Sequence, residues 1–492
     1  MSTAEPDSTA DFSGVGRGLR WSATGAMLIR IAQFLMGIVA ARLIAPSEFG
    51  AFAVATTIYG VVATLSDMGV TQAILREVHR TKEIGPTVMT LNMGATLVLA
   101  GLMAGFARPL SEAFGTGEAT TAVQVLAATM VLGGLGSVPA MVLARDYRQQ
   151  QRFYSDASNF VVSSALLVIL ALAGWGVMAL AWSRFIGQAV SAVVLNAVVG
   201  ERYGFGWNTK EAGALLRFSL PLALAMSVNV LITNVDTFAV GRLRGATDLG
   251  YYNLAFTIAA WPIGILSQIM LNITTTTFAR SQGDITMLRF HLRSLLTALW
   301  AIALPGAALI IGLATPLITA VYGMNWAPAA APLIVLGFLT VVRLVQALLT
   351  DFFTALGMTR WLLRIEIAWF IVLVPVMLLF VNQWGYVGAA LAHVAVGALI
   401  VIPAFLVVAA RGAGVGLSWI KPELIRPVIG SALAGLAAHY TATLIGVPLG
   451  ALAAGGIAGV IVYLVTTGLW LKRHILELRD VYTAHRPATT ES

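Results

Sequence analysis

The stretch Ala41-Arg42-Leu43-Ile44-Ala45-Pro46-Ser47-Glu48-Phe49-Gly50 returns 200 residues later as Gly241-Arg242-Leu243-Arg244-Gly245-Ala246-Thr247-Asp248-Leu249-Gly250. The Arg-Leu pair, the acid and the closing glycine keep their places, and beyond them Phe52 and Ala55 match Tyr252 and Ala255. Each copy is a short polar turn between two long apolar runs. An acid at the start of the second run is favourable in its own right through the helix dipole. Chance likeness between two helix hairpins is therefore the alternative to a duplicated unit.

The flanking runs set the scale. A helix that crosses a bilayer needs about 20 mostly apolar residues at about 1.5 Å each. Working outward from the two copies, runs of that kind lie near 19–44, 50–75, 84–106, 119–143, 156–174 and 177–199, then near 213–242, 248–273, 290–313, 329–351, 361–381 and 386–409, and finally near 425–445 and 449–471. The composition agrees. Of 492 residues 58% are hydrophobic and 11% charged, with a mean hydropathy of +0.86, whereas a soluble chain carries about 25% charged residues to cover its surface. The reading is an all-α integral membrane protein of about fourteen spans.

Net charge is +8, and its distribution is more telling than its size. With the N-terminus inside, twenty-three of the 30 Lys and Arg residues fall in cytoplasmic segments, including Arg76, Arg80 and Lys82, Arg145, Arg148 and Arg152, and Arg202, Lys210 and Arg217. Only Arg42, Arg108, Arg242 and Arg244 fall outside. A false span would scramble that alternation, so it supports both the count and cytoplasmic termini. Basic residues confined to short loops read as orientation against an anionic leaflet, not as a nucleic-acid surface. Residues 1–16 are polar, with Glu5, Asp7 and Asp11, and lack the form of a secretory signal. The chain has no cysteine, which excludes disulfides, thiolate metal sites and thiol catalysis.

Each copy of the repeat closes the first span of a six-span set and opens the second. Six is even, so both sets start on the same side and the repeats are parallel, one of the two arrangements found in transporters. The expected organisation is a cytoplasmic tail at 1–18, an N-lobe at 19–205, a C-lobe at 206–410, two peripheral spans within 411–471 and a cytoplasmic tail at 472–492, with a central cavity between the lobes. The last two spans carry Ala451-Leu452-Ala453-Ala454-Gly455-Gly456, small residues that allow close helix packing.

Ionised groups within spans are functional candidates by default because of their cost in hydrocarbon. Arg30 lies ten residues beyond Arg20, roughly 15 Å deep, and Arg184 and Arg343 also fall within spans. Arginine keeps its charge in a low dielectric and binds oxyanions with a planar fork; pairing with buried acids to hold helices together is the alternative. Asp67 and Asp236 are the acids inside spans, suited to an ion pair, local capping, or uptake of a driving ion. Glu366 and Asp351 sit near the cytoplasmic rim, where Glu366 is a gating candidate. Gln33, Gln188, Asn229, Asn234, Gln268 and Gln346 could meet hydroxyl groups or neighbouring helices alike. His393 and His439 have no second ligand at metal spacing. Pro221, Pro262, Pro305 and Pro403 lie inside spans, where each frees a carbonyl and favours a bend. No nucleotide-binding loop or catalytic cluster is present in the sequence, so an ion gradient, membrane potential or product removal must supply the energy.

Gly18-Leu19-Arg20-Trp21-Ser22, the stretch from Ala41 to Gly50, and Ser66-Asp67-Met68-Gly69-Val70 resemble the bacterial polysaccharide-export flippases of the Wzx type. These belong to the multidrug/oligosaccharidyl-lipid/polysaccharide exporter superfamily. Asn234-Val235-Asp236 with Gly241-Arg242-Leu243 resembles the start of that family's second lobe, and Asn325-Trp326-Ala327-Pro328-Ala329 its outward loop before span ten. The resemblance covers about residues 18–410 and rests on several weak motifs in the right order. It implies a non-enzymatic carrier in the bacterial inner membrane with no cofactor or metal. It would move a polyprenyl-diphosphate-linked oligosaccharide from inner to outer leaflet, with membrane lipid, a polysaccharide polymerase and glycosyltransferases as its surroundings. Arg30, Arg184 and Arg343 would meet the anionic cargo, with Gln33, Asn229 and Asn234 at its sugars and Asp67, Asp236 and Glu366 as coupling or gating groups. A peptidoglycan-precursor flippase or a drug and cation antiporter shares the architecture. The antiporter would favour acids at depth over arginines. A membrane-embedded glycan polymerase would need a larger outward loop than 107–118 or 314–328 provides.

Overall fold

Apolar runs of this length satisfy every backbone polar group within themselves, which in lipid leaves the helix as the available form. The computed structural model describes residues 12–67, 81–146, 148–200, 204–280, 284–412 and 425–484. Of Asp67, Asn229 and Gln268 only the helical backbone is described, and their side chains lie outside the described residues.

The helices are α1 (Phe12–Leu43), α2 (Pro46–Asp67), α3 (Thr81–Gly105), the short α4 (Ala107–Ala113), α5 (Thr120–Arg145), α6 (Gln149–Leu172), α7 (Val177–Val198), α8 (Thr209–Thr233) and α9 (Val235–Arg244). They continue with α10 (Ala246–Arg280), α11 (Ile285–Gly312), the short α12 (Ala314–Val321), α13 (Ala330–Ala355), α14 (Thr359–Val396), α15 (Ile402–Gly412), α16 (Ile425–Thr443) and α17 (Pro448–Ala484). Nine described segments are long and apolar enough to cross a bilayer. One of them, Thr359–Arg411, is two spans' worth of chain, and non-helical Trp384 and Gly385 divide it where sequence separates 361–381 from 386–409. After α14 a π-helical turn at Gly397–Val401 precedes Pro403, which has no N–H to give to a regular helical ladder.

Two compact units divide the chain, residues 1–250 and 251–492. In the first, α6 and α7 pair closely, α5 packs on α3 and α7, and α1 lies on α6. Ile84, Val88, Met93, Val138, Leu143 and Leu195 form one apolar cluster there. Ala40, Ile44, Leu167, Ala179 and Leu180 form another. Arg148 ties these helices together at one end, its guanidinium donating to Val198 O and Val199 O at 3.0 Å each. Those are carbonyls that the last turn of α7 leaves without a helical partner.

In the second unit α16 and α17 pair, and α16 packs on α11, which also meets α13. Small residues make the approach possible. A Cβ on Gly435 would lie 2.9 Å from Ala308 O, and one on Gly459 2.9 Å from Ala434 O, the close packing that Gly and Ala permit in lipid.

The repeat extends further than its sequence. Ala107-Arg108-Pro109-Leu110 opens α4, and Ala314-Thr315-Pro316-Leu317 opens α12. Each short helix is followed by a left-handed glycine, Gly115 or Gly323, and a 3-10 turn at Gly117–Ala119 or Met324–Ala329. Later Trp175-Gly176 and Trp384-Gly385 match, with φ of +52° and +61° at the glycines. Gly176 cannot carry a side chain for a second reason, since a Cβ there would run into the Glu48 carboxylate. Glu48 meanwhile accepts from Ala45 N–H at 3.1 Å, closing the turn into α2 in the manner of a capping box.

The run expected as one span over 213–242 is broken at Asn234, where φ is −117° and ψ 18°. The cause is local. Asn234 Nδ2 donates to Val230 O at 2.8 Å, so the side chain takes the carbonyl that a helical Asn234 N–H would take, while the backbone N–H turns to Leu231 O at 3.2 Å. Asparagine competes for backbone partners in this way.

Candidate functional site

A cavity of about 700 Å³ opens in the first unit between α1, α6 and α7, with Phe49 and Phe52 of α2 at one end. Helical spacing puts Arg30, Gln33 and Gly37 of α1 on one face, and all three line it. From α6 come Asp156, Asn159, Ser163 and Ser164, and from α7 Ser183, Arg184 and Gln188. The volume is that of a ligand pocket. Its lining is unusual for a membrane protein in offering two guanidiniums, three side-chain amides and several hydroxyls.

Among the described residues Arg30 and Arg184 make no ion pair, and both are exposed. Arg184 sits 5.5 Å from the centroid of the Tyr59 ring, a contact that steadies a guanidinium without using up its N–H donors. Among the described residues neither of these two arginines holds helices together through an ion pair. Asp156 is the acid of the cavity and feels the positive charge of Arg152, one helical turn away.

Sequence reasoning placed Arg30, Gln33 and Arg184 among the site residues and Gln188 among the polar residues at depth. It missed Asp156, Asn159 and Ser163. Their signal is the spacing of Arg152, Asp156, Asn159 and Ser163, which is one helix face, but at the start of a span it reads as a solvated end.

Asn234 and Asp236 do not line this cavity. Besides breaking the helix, Asn234 accepts from Thr57 Oγ1 at 3.4 Å, which links the break to α2. Asp236 is 3% exposed and its Oδ1 accepts from Thr237 N–H at 2.7 Å. It sits in the first turn of α9, where N–H groups lack helical partners and negative charge is favoured.

Within the second unit Arg343 lies 5.4 Å from the centroid of Phe256. Its Nε and one terminal nitrogen are buried with no hydrogen-bond partner. Glu366 is close enough to Arg343 for electrostatic attraction. Asp351 accepts from Thr274 Oγ1 at 2.6 Å. His393, eight residues after Gly385 as Arg184 is eight after Gly176, is 2% exposed and 6.4 Å from the Phe256 ring. A second cavity, about 340 Å³, lies between α11, α12, α13, α16 and α17 beside His439. Among the described residues its lining has no guanidinium, carboxylate or side-chain amide, so it offers less to an anionic or hydroxyl-rich ligand than the first.

Residues 39–331, more than half of the chain, match the family described as polysaccharide biosynthesis protein. The chain belongs to this family. Relatives of this polysaccharide biosynthesis protein include the succinoglycan biosynthesis transport protein ExoT of Rhizobium meliloti, 26% identical over 319 residues that make up 62% of this chain and 64% of that one. The lipopolysaccharide biosynthesis protein WzxC of Escherichia coli is 24% identical over 323 residues, 63% of each. The chain thus spans just under two thirds of the length of these two relatives. Among solved structures, the lipid II flippase MurJ in an inward closed conformation superposes with a TM-score of 0.74 at 16% identity, covering 91% of this chain and 100% of that one. An inward-facing multidrug transporter of the MATE family follows at 0.61 and 18%, covering 78% and 95%. The polysaccharide biosynthesis protein therefore has the fold of these helical membrane transporters.

Proposed function

We propose that this protein is a flippase that carries polyprenyl-diphosphate-linked oligosaccharide repeat units from the inner to the outer leaflet of the bacterial plasma membrane. The cargo feeds surface polysaccharide synthesis, and the motion is alternating access. The observation that carries this reading is the cavity with two arginines that no described acid neutralises, set among amides and hydroxyls. Guanidiniums bind diphosphate or acidic sugar oxygens with charge-assisted bonds, while amides and hydroxyls match sugar hydroxyls. The names of the relatives, a succinoglycan transport protein and a lipopolysaccharide biosynthesis protein, support the same cargo class.

The chain would cross the membrane about fourteen times with both termini in the cytoplasm, as its basic loops require. Its lobes would comprise 19–205 and 206–410, with the two last spans outside them. Arg343 and Glu366 would belong to the transport path of the second lobe, with Asp67 and Glu366 the groups offered for ion coupling or gating, while Asp236 would serve the start of α9. A polymerase and glycosyltransferases would work on the same lipid-linked glycan. A cation exporter is disfavoured, because unpaired arginines repel such a substrate.

Deleting the gene tests the reading. Surface polysaccharide is expected to disappear while lipid-linked repeat units collect in the inner leaflet. Normal polysaccharide in the deletion strain contradicts it.

A further inference from the structure

The link between α7 and α8 includes a strap without regular secondary structure at 204–208, fastened to the start of α3. Gly206 N–H donates to Thr90 Oγ1 at 3.0 Å and lies 3.3 Å from Pro86 O, and Thr90 Oγ1 in turn donates to Gly206 O at 2.8 Å. Asn208 N–H donates to Thr87 Oγ1 at 3.2 Å, and Asn208 Oδ1 accepts from Lys210 N–H at 3.1 Å to start α8. A Cβ on Gly206 would fall 2.7 Å from Pro86 Cβ, so the strap can lie this close only with glycine there. With Gly206 against Pro86, its neighbours Phe205 and Trp207 face away, 66% and 61% exposed.

Two large aromatic side chains are thus held outward by a pinned backbone. Water is a poor partner for such a surface, and Trp in particular suits a boundary between apolar and wet surroundings. The charges beside them favour an anionic layer. Lys210 and Arg217, both exposed, follow in α8, and Arg148 stands at the adjoining end of α7. Among the residues whose side chains are described, Glu211 is an acid nearby and is already engaged.

We infer that 204–208 is an interfacial anchor for the anionic lipid headgroups of the leaflet at this basic end of the first unit. Phe205 and Trp207 enter between headgroups and upper acyl chains, while Lys210 and Arg217 meet the lipid phosphates. The strap thereby fixes the depth of the ends of α3 and α8. The inference does not depend on the identity of the cargo.

The chain has no cysteine, so Trp207→Cys of the full-length protein accepts a single environment-sensitive fluorophore. The probe is read in liposomes of phosphatidylethanolamine with phosphatidylglycerol. Nitroxide lipids labelled near the headgroup, nitroxide lipids labelled near the chain end, and aqueous iodide serve as quenchers. Quenching several-fold stronger by the headgroup-side nitroxide than by either other quencher is expected, with blue-shifted emission that weakens when phosphatidylglycerol is omitted. Dominant iodide quenching means the strap faces water, and protection from all three means that protein covers it. Either result overturns the anchor.

Discussion

Gly50 and Gly250, equivalent residues of the repeat, are each wedged against the other's hairpin: a Cβ on Gly50 would run into the carbonyl oxygen of Ala246, and a Cβ on Gly250 into that of Pro46. Pro46 and Ala246 are themselves equivalent residues. The contact is unchanged when the two copies are exchanged, as a local two-fold relation between them requires. The closing glycine of each copy is kept because backbone, not a yielding side chain, stands where its Cβ would go.

Substituting alanine at either glycine is therefore expected to cost about 1–3 kcal/mol through overpacking. The two losses should not add, because both act on one contact. Thermal unfolding in detergent reads this against Gly101→Ala, where nothing lies within 4 Å of a Cβ; there helix propensity favours alanine by up to about 1 kcal/mol. Equal melting for Gly50→Ala and Gly101→Ala would remove the contact from the account.

Much of the fold is legible in the chain because hydropathy and loop charge are local quantities that no tertiary contact has to supply. The repeat is legible only where both copies kept Arg-Leu and glycine at a constant offset. The pairs Pro109 and Pro316, Gly115 and Gly323, and Gly176 and Gly385 stand at offsets of 207, 208 and 209. Short insertions hid them from a fixed shift. The break at Asn234 carries no proline or glycine to announce it, since it depends on one side chain taking Val230 O. For the site, depth along a helix found the arginines. Asp156 and Asn159 emerge only when α6 is seen to turn one face toward α1 and α7.

Gly37 offers a way to separate transport from folding. It lines the arginine cavity and a Cβ there meets nothing within 4 Å. Gly37→Leu should leave melting unchanged or raise it by up to about 1 kcal/mol, while transport falls several-fold as the side chain fills the cavity. Undiminished transport in a folded Gly37→Leu variant would show that the cargo does not pass this cavity.

Asp236 distinguishes a helix start from a coupling site. Asp236→Asn keeps an acceptor for Thr237 N–H, so near-normal melting and transport are expected, whereas Asp236→Ala should lose about 0.5–2 kcal/mol. Transport abolished by asparagine at unchanged melting would assign the carboxylate to ion coupling instead.

Tyr322, between α12 and the following 3-10 turn, has its phenol pushed up from 10.0 to about 12 by burial. The folded state disfavours the phenolate, so the stability this provides is intact below pH 10 and lost as pH rises from 10 toward about 12. Melting curves across that window should fall more steeply for the wild type than for Tyr322→Phe. Identical curves would mean that the phenol is not shielded.

The central claim is that Arg30 and Arg184 carry an anionic lipid-linked glycan across the membrane, and the direct measurement is translocation in liposomes holding only this protein. A fluorescent polyprenyl-diphosphate oligosaccharide is placed in one leaflet, and its arrival in the other is read by an impermeant glycosidase. The account predicts transfer by the wild type well above protein-free liposomes. It predicts a fall to the protein-free rate for Arg30→Ala with Arg184→Ala, at unchanged melting temperature. Transfer by that double variant at the wild-type rate, or none by the wild type under an imposed ion gradient, would contradict it.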